Sequence, residues 1–302
     1  MLAIDWNAVY GFWLVARHGS FAEAARKLPW GTAQALHKRV RRLEDKTNLD
    51  LRLLSSRGVK GVELTAAGDT LYQLIDPVFR DFEAVALDLR KEANGPITVA
   101  TTGFVVANYL PAILKRLHKN FPKVSLLFRV RAEAEVVSLV KSGVVDFGIA
   151  PPPLQGTSLV TIARTPLQFR FVAPPDQAVG RKIGWPEICR MPLVLHERIS
   201  ILRQALEQVL AQQNLLSGLQ IVAEVTTPEL AVDMVRAGIG VALVPLGPQL
   251  TKTLGGLKTF PPPSGLPEIS LAILHRKDRY IARYMQGFIE AASIEIQRSS
   301  KL

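Results

Sequence analysis

The N-terminal third of the chain carries apolar residues at the spacing of amphipathic helices. Within residues 30–44, Leu36, Val40 and Leu43 follow one another at gaps of four and three, which places them on one side of a helix. The opposite side carries the polar and basic residues Gln34, His37, Lys38 and Arg41. The pattern predicts a helix that buries its apolar side in a small core and exposes a row of hydrogen-bonding and cationic groups.

Capping residues and breaks predict two further helices before this one. Asp5 is a suitable N-cap for the first helix, and Ser20 with Glu23 forms a predicted capping box at the start of the second. Pro29 ends the second helix, and Thr32 caps the third. Two helices joined by a tight turn, the second with a basic outer side, are typical of a helix-turn-helix.

A glycine-punctuated basic segment follows the three helices. Residues 55–62 predict the tip of a two-stranded wing, with Leu51 and Leu53 before it and Val62 and Leu64 after it as strand residues. A basic wing adds cations beside a helix-turn-helix, and this arrangement favours contact with a polyanion.

Thr65 is a suitable N-cap for one long helix that residues 66–91 predict, and this helix carries a heptad seam. Its apolar residues lie at alternating gaps of four and three, and they are Leu71, Ile75, Val78, Phe82, Val85 and Leu89. A second helix can bury such a seam, so we predict self-association through this helix. The alternative is a long amphipathic helix that lies along its own protein. Pro77 interrupts the seam and predicts a kink or a weakened turn.

After Gly95 and Pro96 the pattern changes to short apolar strands that alternate with helices. The predicted strands are residues 97–100, 124–130, 145–149, 169–173, 193–195, 221–225, 240–244 and 269–275. The predicted helices are residues 109–120, 135–142, 202–213, 229–237 and 279–297. This alternation predicts an α/β region of parallel sheets with helices on both faces.

Composition narrows the class of protein. The chain has 302 residues, 48% of them hydrophobic, which suits about two folded domains. A net charge of +11 favours a polyanionic partner, nucleic acid first. The single cysteine, Cys189, excludes an intrachain disulfide, and no apolar run approaches the ~20 residues that cross a bilayer. With no secretory signal visible, we expect a cytoplasmic protein without a membrane partner.

Polar residues follow several of the predicted strands, where small molecules bind in open α/β sheets. They are Thr101, Thr102, Gly103, Phe104, Arg131, Pro151, His196, Glu197, Arg198, Thr226 and Thr227. Hydroxyls and helix amides suit an anion, and Arg131 or Arg198 supplies the countercharge, so an anionic small molecule is the expected ligand. The alternative for each threonine is that it only caps the following helix.

The sequence does not favour an enzyme. The histidines are scattered without metal-ligand spacing, and Cys189 has no histidine partner in sequence. His196 and Glu197 resemble the start of a zinc motif, but Ser200 stands where the second histidine belongs. Gly238 and Gly240 lack the third glycine of a dinucleotide loop. We therefore expect no catalytic residues, no metal and no cofactor.

Several motifs resemble those of LysR-type transcriptional regulators along nearly the whole chain. In the first domain they are FWLVARHGSFAEAARKL at residues 12–28, RVRRLE at 39–44 and ELTAAG at 63–68; VDFGIAP at 145–151 and VRAGIGVALVP at 235–245 lie in the α/β region. The resemblance implies a winged helix-turn-helix, a dimerising linker helix and two Rossmann-like subdomains of periplasmic-binding-protein type with a ligand cleft. It also implies a homodimer or homotetramer.

The chain departs from the family pattern where DNA is recognised. Thr32, Ala33 and Gln34 replace the common Ser-Gln-Pro or Ser-Gln-Ser, and His37 occupies a common serine position. The Leu-Phe-x-Arg before the wing is replaced by residues 51–54, Leu-Arg-Leu-Leu. The predicted DNA-binding residues are Ser20, Thr32, Ala33, Gln34, His37, Lys38, Arg41, Arg57 and Lys60. We expect Gln34 and His37 to reach base edges and the basic residues to hold phosphates.

The sequence thus predicts a ligand-responsive DNA-binding transcriptional regulator. The expected parts are a winged helix-turn-helix at 1–65, a linker helix at 66–93 and an effector-binding domain at 94–302. Within the last, subdomain I covers 96–166 and 269–302, and subdomain II covers 167–268. The expected partners are double-stranded DNA on a roughly palindromic operator, a small effector, a second copy of the chain and, for an activator, RNA polymerase.

Two other classes of protein remain open from the sequence. One is a constitutive DNA-binding protein whose α/β part only oligomerises. The other is a solute-binding or enzymatic α/β protein whose N-terminal region does not bind DNA.

Overall fold

A computed structural model describes residues 5–28, 31–53, 61–90, 95–153, 158–178 and 183–298. The chain divides into two compact units, Met1–Ala86, here called the head, and Leu87–Leu302, here called the second unit. Across these described ranges, no helix is long and apolar enough to cross a bilayer.

The head has the predicted order of helices and wing strands. Its elements are α1 (Trp6–His18), α2 (Phe21–Arg26), α3 (Ala33–Thr47), β1 (Arg52–Leu53), β2 (Glu63–Leu64) and α4 (Ala66–Leu89). β1 and β2 are antiparallel, with Arg52 opposite Leu64. The fold is therefore the predicted helix-turn-helix with a two-stranded ribbon and a long helix after it.

The predicted N-caps are formed in the head. The Asp5 carboxylate accepts a hydrogen bond from the backbone amide of Ala8 at 3.2 Å, and the Thr65 hydroxyl accepts from Gly68 at 3.0 Å. At α2 the capping box is half formed. The Ser20 hydroxyl accepts from the backbone amide of Glu23 at 3.1 Å, but the Glu23 carboxylate pairs with Arg26, which competes for it.

The core of the head holds α3 by its apolar side. Leu36, Val40 and Leu43 are 0%, 1% and 6% exposed and pack with α1 residues such as Trp13. Close backbone approach also matters at Gly68, where a Cβ atom would overlap the Leu51 carbonyl group. The ELTAAG motif therefore ends in a residue without a side chain because α4 passes directly over that backbone.

A buried polar contact joins α4 to α1. The Trp13 indole donates to the Asp76 carboxylate at 2.9 Å, and Arg80 approaches the other carboxylate oxygen at 3.1 Å. Arg17 lies 4.8 Å from the Trp13 ring centroid and pairs with Glu83 at 2.8 Å. Each charged group in this contact has an opposite partner, which offsets the cost of burial.

The predicted heptad seam of α4 is divided between the core and the surface. Ile75 is 8% exposed and packs in the head, whereas Val78, Phe82 and Leu89 are 59%, 73% and 80% exposed. The neighbouring Leu74 is 71% exposed. The helix continues through Pro77. Part of the seam is thus used within the head, and an exposed apolar row remains on the adjoining side.

The second unit contains two five-stranded sheets in its described residues. The strands are β3 (Pro96–Thr101), β4 (Ser125–Val130), β5 (Phe147–Ala150), β6 (Leu159–Pro166), β7 (Phe169–Ala173), β8 (Pro192–His196), β9 (Gln220–Val225), β10 (Val241–Pro245), β11 (Lys258–Phe260) and β12 (Ser270–Arg276). One sheet has the order β4-β3-β5-β12-β6 and the other β11-β7-β10-β8-β9.

Helices connect and cover these strands. They are α5 (Gly103–Asn108), α6 (Leu110–Asn120), α7 (Glu133–Lys141), α8 (Trp185–Cys189), α9 (Ile201–Gln212), α10 (Pro228–Arg236), α11 (Leu250–Thr253) and α12 (Arg283–Arg298). The backbone amide of Leu167 donates to the Ile269 carbonyl at 2.9 Å, where the chain leaves one sheet and later returns to it. This paired crossing makes two linked α/β halves.

Both sheets are mixed, which corrects the prediction of parallel sheets. β12 runs antiparallel to β5 and β6, and β7 runs antiparallel to β10 and β11. The prediction missed β6, which lies at a sheet edge and carries polar residues such as Thr161 and Arg164. An edge strand that is partly exposed lacks the continuous apolar run by which a buried strand is found.

We expect Trp13→Phe to lower the free energy of unfolding of the head by about 2 kcal/mol, because it removes a buried hydrogen bond and ring volume. Trp6→Phe on the same helix is the matched control, since Trp6 is 62% exposed. Urea unfolding of the full chain measures both changes. Equal effects of the two substitutions would show that the Asp76 contact is not stabilising.

Candidate functional site: a basic helix face and a cavity at the strand ends

The outer side of α3 presents a continuous polar and basic row. Gln34, His37, Lys38 and Arg41, here called the basic row, are all exposed, opposite the buried side of the helix. The Thr32 hydroxyl caps α3 by accepting from the backbone amide of Ala35 at 3.1 Å. An exposed helix of this kind can enter a DNA groove with its side chains directed at bases and phosphates.

Two predicted DNA-binding residues also make contacts within the head. The His37 ring stacks on Phe21 of α2, with the ring centroids 3.5 Å apart, and Ala33 packs partly into the core. Stacking fixes the plane of the imidazole while leaving the residue exposed. Ser20 is half-buried as the cap of α2. Arg57 and Lys60 lie outside the described residues.

A cavity of about 490 Å³ lies in the second unit at the carboxyl ends of strands from both sheets. Predicted ligand residues that line it are Thr102, Gly103, Phe104, Arg131, Pro151, His196, Glu197, Thr226 and Thr227. They lie at or just after the carboxyl ends of β3, β4, β5, β8 and β9. The carboxyl ends of parallel strands meet at one edge of each sheet, which explains why residues far apart in sequence line one space.

Two predicted ligand residues do not line this cavity. Thr101 is 1% exposed, and its hydroxyl donates to the Ile149 carbonyl at 2.8 Å, so it links neighbouring strands. Arg198 is exposed, and its backbone carbonyl accepts from the Gln204 side chain. Thr227 lines the cavity and also caps α10 by accepting from Leu230 at 3.3 Å. Thr227 is therefore both the cap of α10 and a part of the cavity lining.

The sequences of these two regions match models of one protein family. Residues 6–69 match the bacterial regulatory helix-turn-helix protein, lysR family, and residues 90–295 match the LysR substrate binding domain. The chain belongs to the LysR family of transcriptional regulators. Its two parts are therefore a DNA-binding helix-turn-helix region and an effector-binding domain.

Relatives of this LysR-type regulator resemble it along most of their length. It is 26% identical over 239 residues to the uncharacterized HTH-type transcriptional regulator YfeR of Shigella flexneri, covering 78% of this chain and 76% of YfeR. It is 22% identical to the HTH-type transcriptional regulator SoxR of an Arthrobacter strain, covering 96% and 97% of the two chains. These relatives are named as regulators and not as enzymes.

Solved structures share the fold of the regulator. A full-length OxyR variant from Pseudomonas aeruginosa has a TM-score of 0.72 at 17% identity, covering 98% of this chain and 97% of that one. Full-length CbnR complexed with its target DNA has a TM-score of 0.59 at 17% identity, covering 98% and 100%.

Charged groups of the regulator's cavity are mostly carboxylates. The Arg131 guanidinium donates to the Val130 carbonyl at 2.8 Å and lies 3.5 Å from the Glu135 carboxylate. The Glu133 carboxylate accepts from the backbone amide of Ile201, the first residue of α9, at 2.9 Å. Burial raises the pKa of the Glu133 carboxyl above its ordinary value, and this hydrogen bond opposes part of the rise.

His196 is the buried titratable group of the lining. It is 8% exposed, and burial lowers its pKa to about 4, so the imidazole is neutral near pH 7. Its Nε2 atom has no hydrogen-bond partner among the described residues. The same residue's backbone carbonyl accepts from the buried Arg203 guanidinium at 3.1 Å, which holds the end of β8 against α9.

The two α/β halves are also joined beside the cavity by Asn108. Its side-chain amide donates to Glu229 at 3.1 Å, and its carbonyl oxygen accepts from the backbone amides of Gln249 and Leu250 at 3.1 and 2.9 Å. Asn108 is 2% exposed. A fully bonded buried amide fixes how close α5 lies to the opposite half.

Glu133, Glu135 and Ser200 line the cavity but were missed from the sequence. Glu133 lies two residues after Arg131 and begins α7, so its closeness to the end of β4 was the available sequence signal. Asn108 gave no signal, because a polar residue at a helix end is most often a cap. Within the described ranges, no group of three or more His, Cys, Asp or Glu residues can hold a metal ion.

We expect the second unit to lose stability as pH falls from about 6.5 to about 4, because the unfolded chain binds a proton that folded His196 excludes. Protonation of this histidine lowers the free energy of unfolding by about 3 kcal/mol in total, and the loss is complete once the pH has fallen to about 4. The raised pKa of Glu133 acts in the opposite direction. The effect of His196 is therefore isolated by comparing how steeply the free energy of unfolding changes with pH in wild type and in His196→Gln.

Urea unfolding at pH 7, 6 and 5 measures these slopes. His118→Gln, on the exposed part of α6, removes a histidine that does not line the cavity and is the matched control. If His196→Gln and wild type have the same slope, His196 is not a buried imidazole that stays neutral in the folded protein.

Proposed function

We propose that the chain is a ligand-responsive transcriptional regulator that acts as a homodimer or a homodimer-based tetramer. Its DNA-binding region is residues 1–65, its linker helix 66–93 and its effector-binding domain 94–302. Each dimer places two α3 helices on a roughly palindromic operator, and a small molecule in the cavity alters how they engage it. An activator of this kind also contacts RNA polymerase. The proposed regulator acts in the cytoplasm and performs no catalysis.

The basic row is the observation that carries the DNA-binding role. Its residues are exposed, whereas Leu36, Val40 and Leu43 hold the helix from behind. Gln34 and His37 lie in the first half of α3, where side chains reach base edges, and Lys38 and Arg41 suit phosphates. A regulator named CbnR, similar in fold, is solved in complex with its target DNA, which agrees with this assignment.

The cavity supports ligand response over a constitutive protein whose α/β part only oligomerises. It has about 490 Å³ of space, within the range of small-molecule sites. It also receives residues from both α/β halves, so an occupant can favour one relative arrangement of the halves. The sequence favoured an anionic effector, with Arg131 and Arg198 as its countercharges. Only Arg131 of these lines the cavity, and it lies close to Glu135.

The exposed apolar row of α4 supports the homodimer. Leu74, Val78, Phe82 and Leu89 recur at gaps of four, four and seven residues and are each more than half exposed. A single helix cannot bury such a row, and a symmetric copy of the same helix is the simplest partner.

We expect the double variant Lys38→Ala and Arg41→Ala to weaken DNA binding on every sequence. For the dimer it should flatten the plot of log affinity against log salt by about 3.6 units of slope, because two phosphate contacts are lost in each of the two heads. The matched control is Lys119→Ala with Lys123→Ala, which removes the same charge from exposed positions of the second unit. Salt titrations of the full chain on genomic operator fragments found by footprinting measure both. An unchanged slope in the first variant would reject the phosphate role.

We expect Phe82→Glu to dissociate the homodimer, because it places a charge in the apolar row without disturbing the head core. Analytical ultracentrifugation at micromolar protein should show monomers. Gln73→Glu, exposed on another side of α4, is the control and should remain associated. A dimeric Phe82→Glu would place the contact elsewhere.

A further inference from the structure

The charge of the cavity is opposite to what an anionic effector needs. Its described lining contains three carboxylates, on Glu133, Glu135 and Glu197, and one guanidinium, on Arg131. His196 adds no positive charge near pH 7, which leaves a formal excess of two negative charges. Arg131 is also engaged with Glu135 and with the Val130 carbonyl. An anion would meet repulsion that this single cation only partly offsets.

A side chain of the protein already occupies one of the helix N-termini at the cavity. The Glu133 carboxylate accepts from the Ile201 amide at the start of α9, a helix of 12 residues. This contact uses one carboxylate oxygen, Oε2, and the other has no partner within the described chain. Glu133 is half-buried and lines the cavity, so this second oxygen can pair with a donor or a cation that enters it.

His196 is a second buried polar group in the lining of the cavity. It lines the same cavity, is 8% exposed, and its Nε2 atom lacks a partner in the described residues. A neutral imidazole has one nitrogen that accepts a hydrogen bond, and leaving it unsatisfied in a buried position costs free energy. Nε2 is the acceptor in one tautomer and the donor in the other, so His196 contributes a polar group without a positive charge near pH 7.

The rest of the wall is apolar and aromatic. Phe104, Leu167, Phe169, Ile269 and Leu271 line the cavity from the strand ends and the crossing segments. Such a wall takes up a hydrocarbon or aromatic body by excluding water, while the few polar groups determine orientation.

We propose that the effector is a small organic amine, with its protonated amino group paired to Glu133 and its apolar body against Phe104 and Phe169. This inference rests on the proposed effector role of the cavity and replaces the anionic class expected from sequence. The ammonium supplies up to three donors, and one of them pairs with the free Glu133 oxygen. Pairing in a partly desolvated site is stronger than at the surface.

Calorimetric titration of the full chain with matched probes tests the class. Each set shares one body and differs in its head group: 2-phenylethylamine, 2-phenylethanol and phenylacetate, with the corresponding cyclohexyl and butyl compounds. We expect the amine to bind most tightly in at least one set. Glu133→Gln should weaken that amine by about tenfold or more while changing the alcohol little, because the amide keeps the shape and loses the charge. Glu290→Gln, exposed on α12, is the matched control and should leave amine binding unchanged.

Each other outcome overturns the amine assignment. If an acid binds more tightly than the amine in any set, the effector is an anion, and the proposed function as a regulator is unaffected. An amine that binds Glu133→Gln as well as wild type would remove Glu133 from the site. Binding of no probe would reject the inferred class. The proposed function is judged separately, by the salt dependence of DNA binding and by whether extracted metabolites of any charge change the operator footprint.

Discussion

The burial of one side of α3 is the constraint on which the proposed DNA recognition by this regulator depends. Because Leu36, Val40 and Leu43 are held in the head core, the helix cannot rotate about its axis, and the basic row must face outward. The same core grips α4 through the hydrogen bond between Trp13 and Asp76. The start of α4 is thereby fixed relative to α3, and the head leaves the apolar row of α4 exposed.

In the second unit, the positions of the strand ends determine which residues line the cavity. Residues separated by more than a hundred positions reach one cavity because their strands share an edge in one sheet or the other. The halves that carry the sheets are tied by Asn108 on one helix and by Glu133 on another. Glu133 thus has two roles, a contact between the halves and a free oxygen toward the cavity. An occupant that pairs with this oxygen acts on the same side chain that joins the halves.

The helices of the head could be predicted from the sequence because their caps and apolar spacing involve residues close together in the chain. The caps at Asp5, Thr32 and Thr65 and the apolar spacing of α3 depend on residues within one or two helical turns, and each was found where predicted. The heptad seam of α4 was less well predicted. Ile75 belongs to the head core while Phe82 is exposed, and spacing alone cannot distinguish a residue buried by its own chain from one available to a partner.

The sequence by itself determined the family, the basic row and most of the strand-end positions that line the cavity, because each depends on periodicity or on a loop that follows a strand. The tertiary structure decided the strand directions, the removal of Thr101 and Arg198 from the cavity and the balance of charge within it. Those properties depend on which side chains converge from distant segments and which already have partners. A carboxylate such as Glu133 changes the chemistry of a site only when folding brings it there, and spacing along the chain carries no measure of that distance.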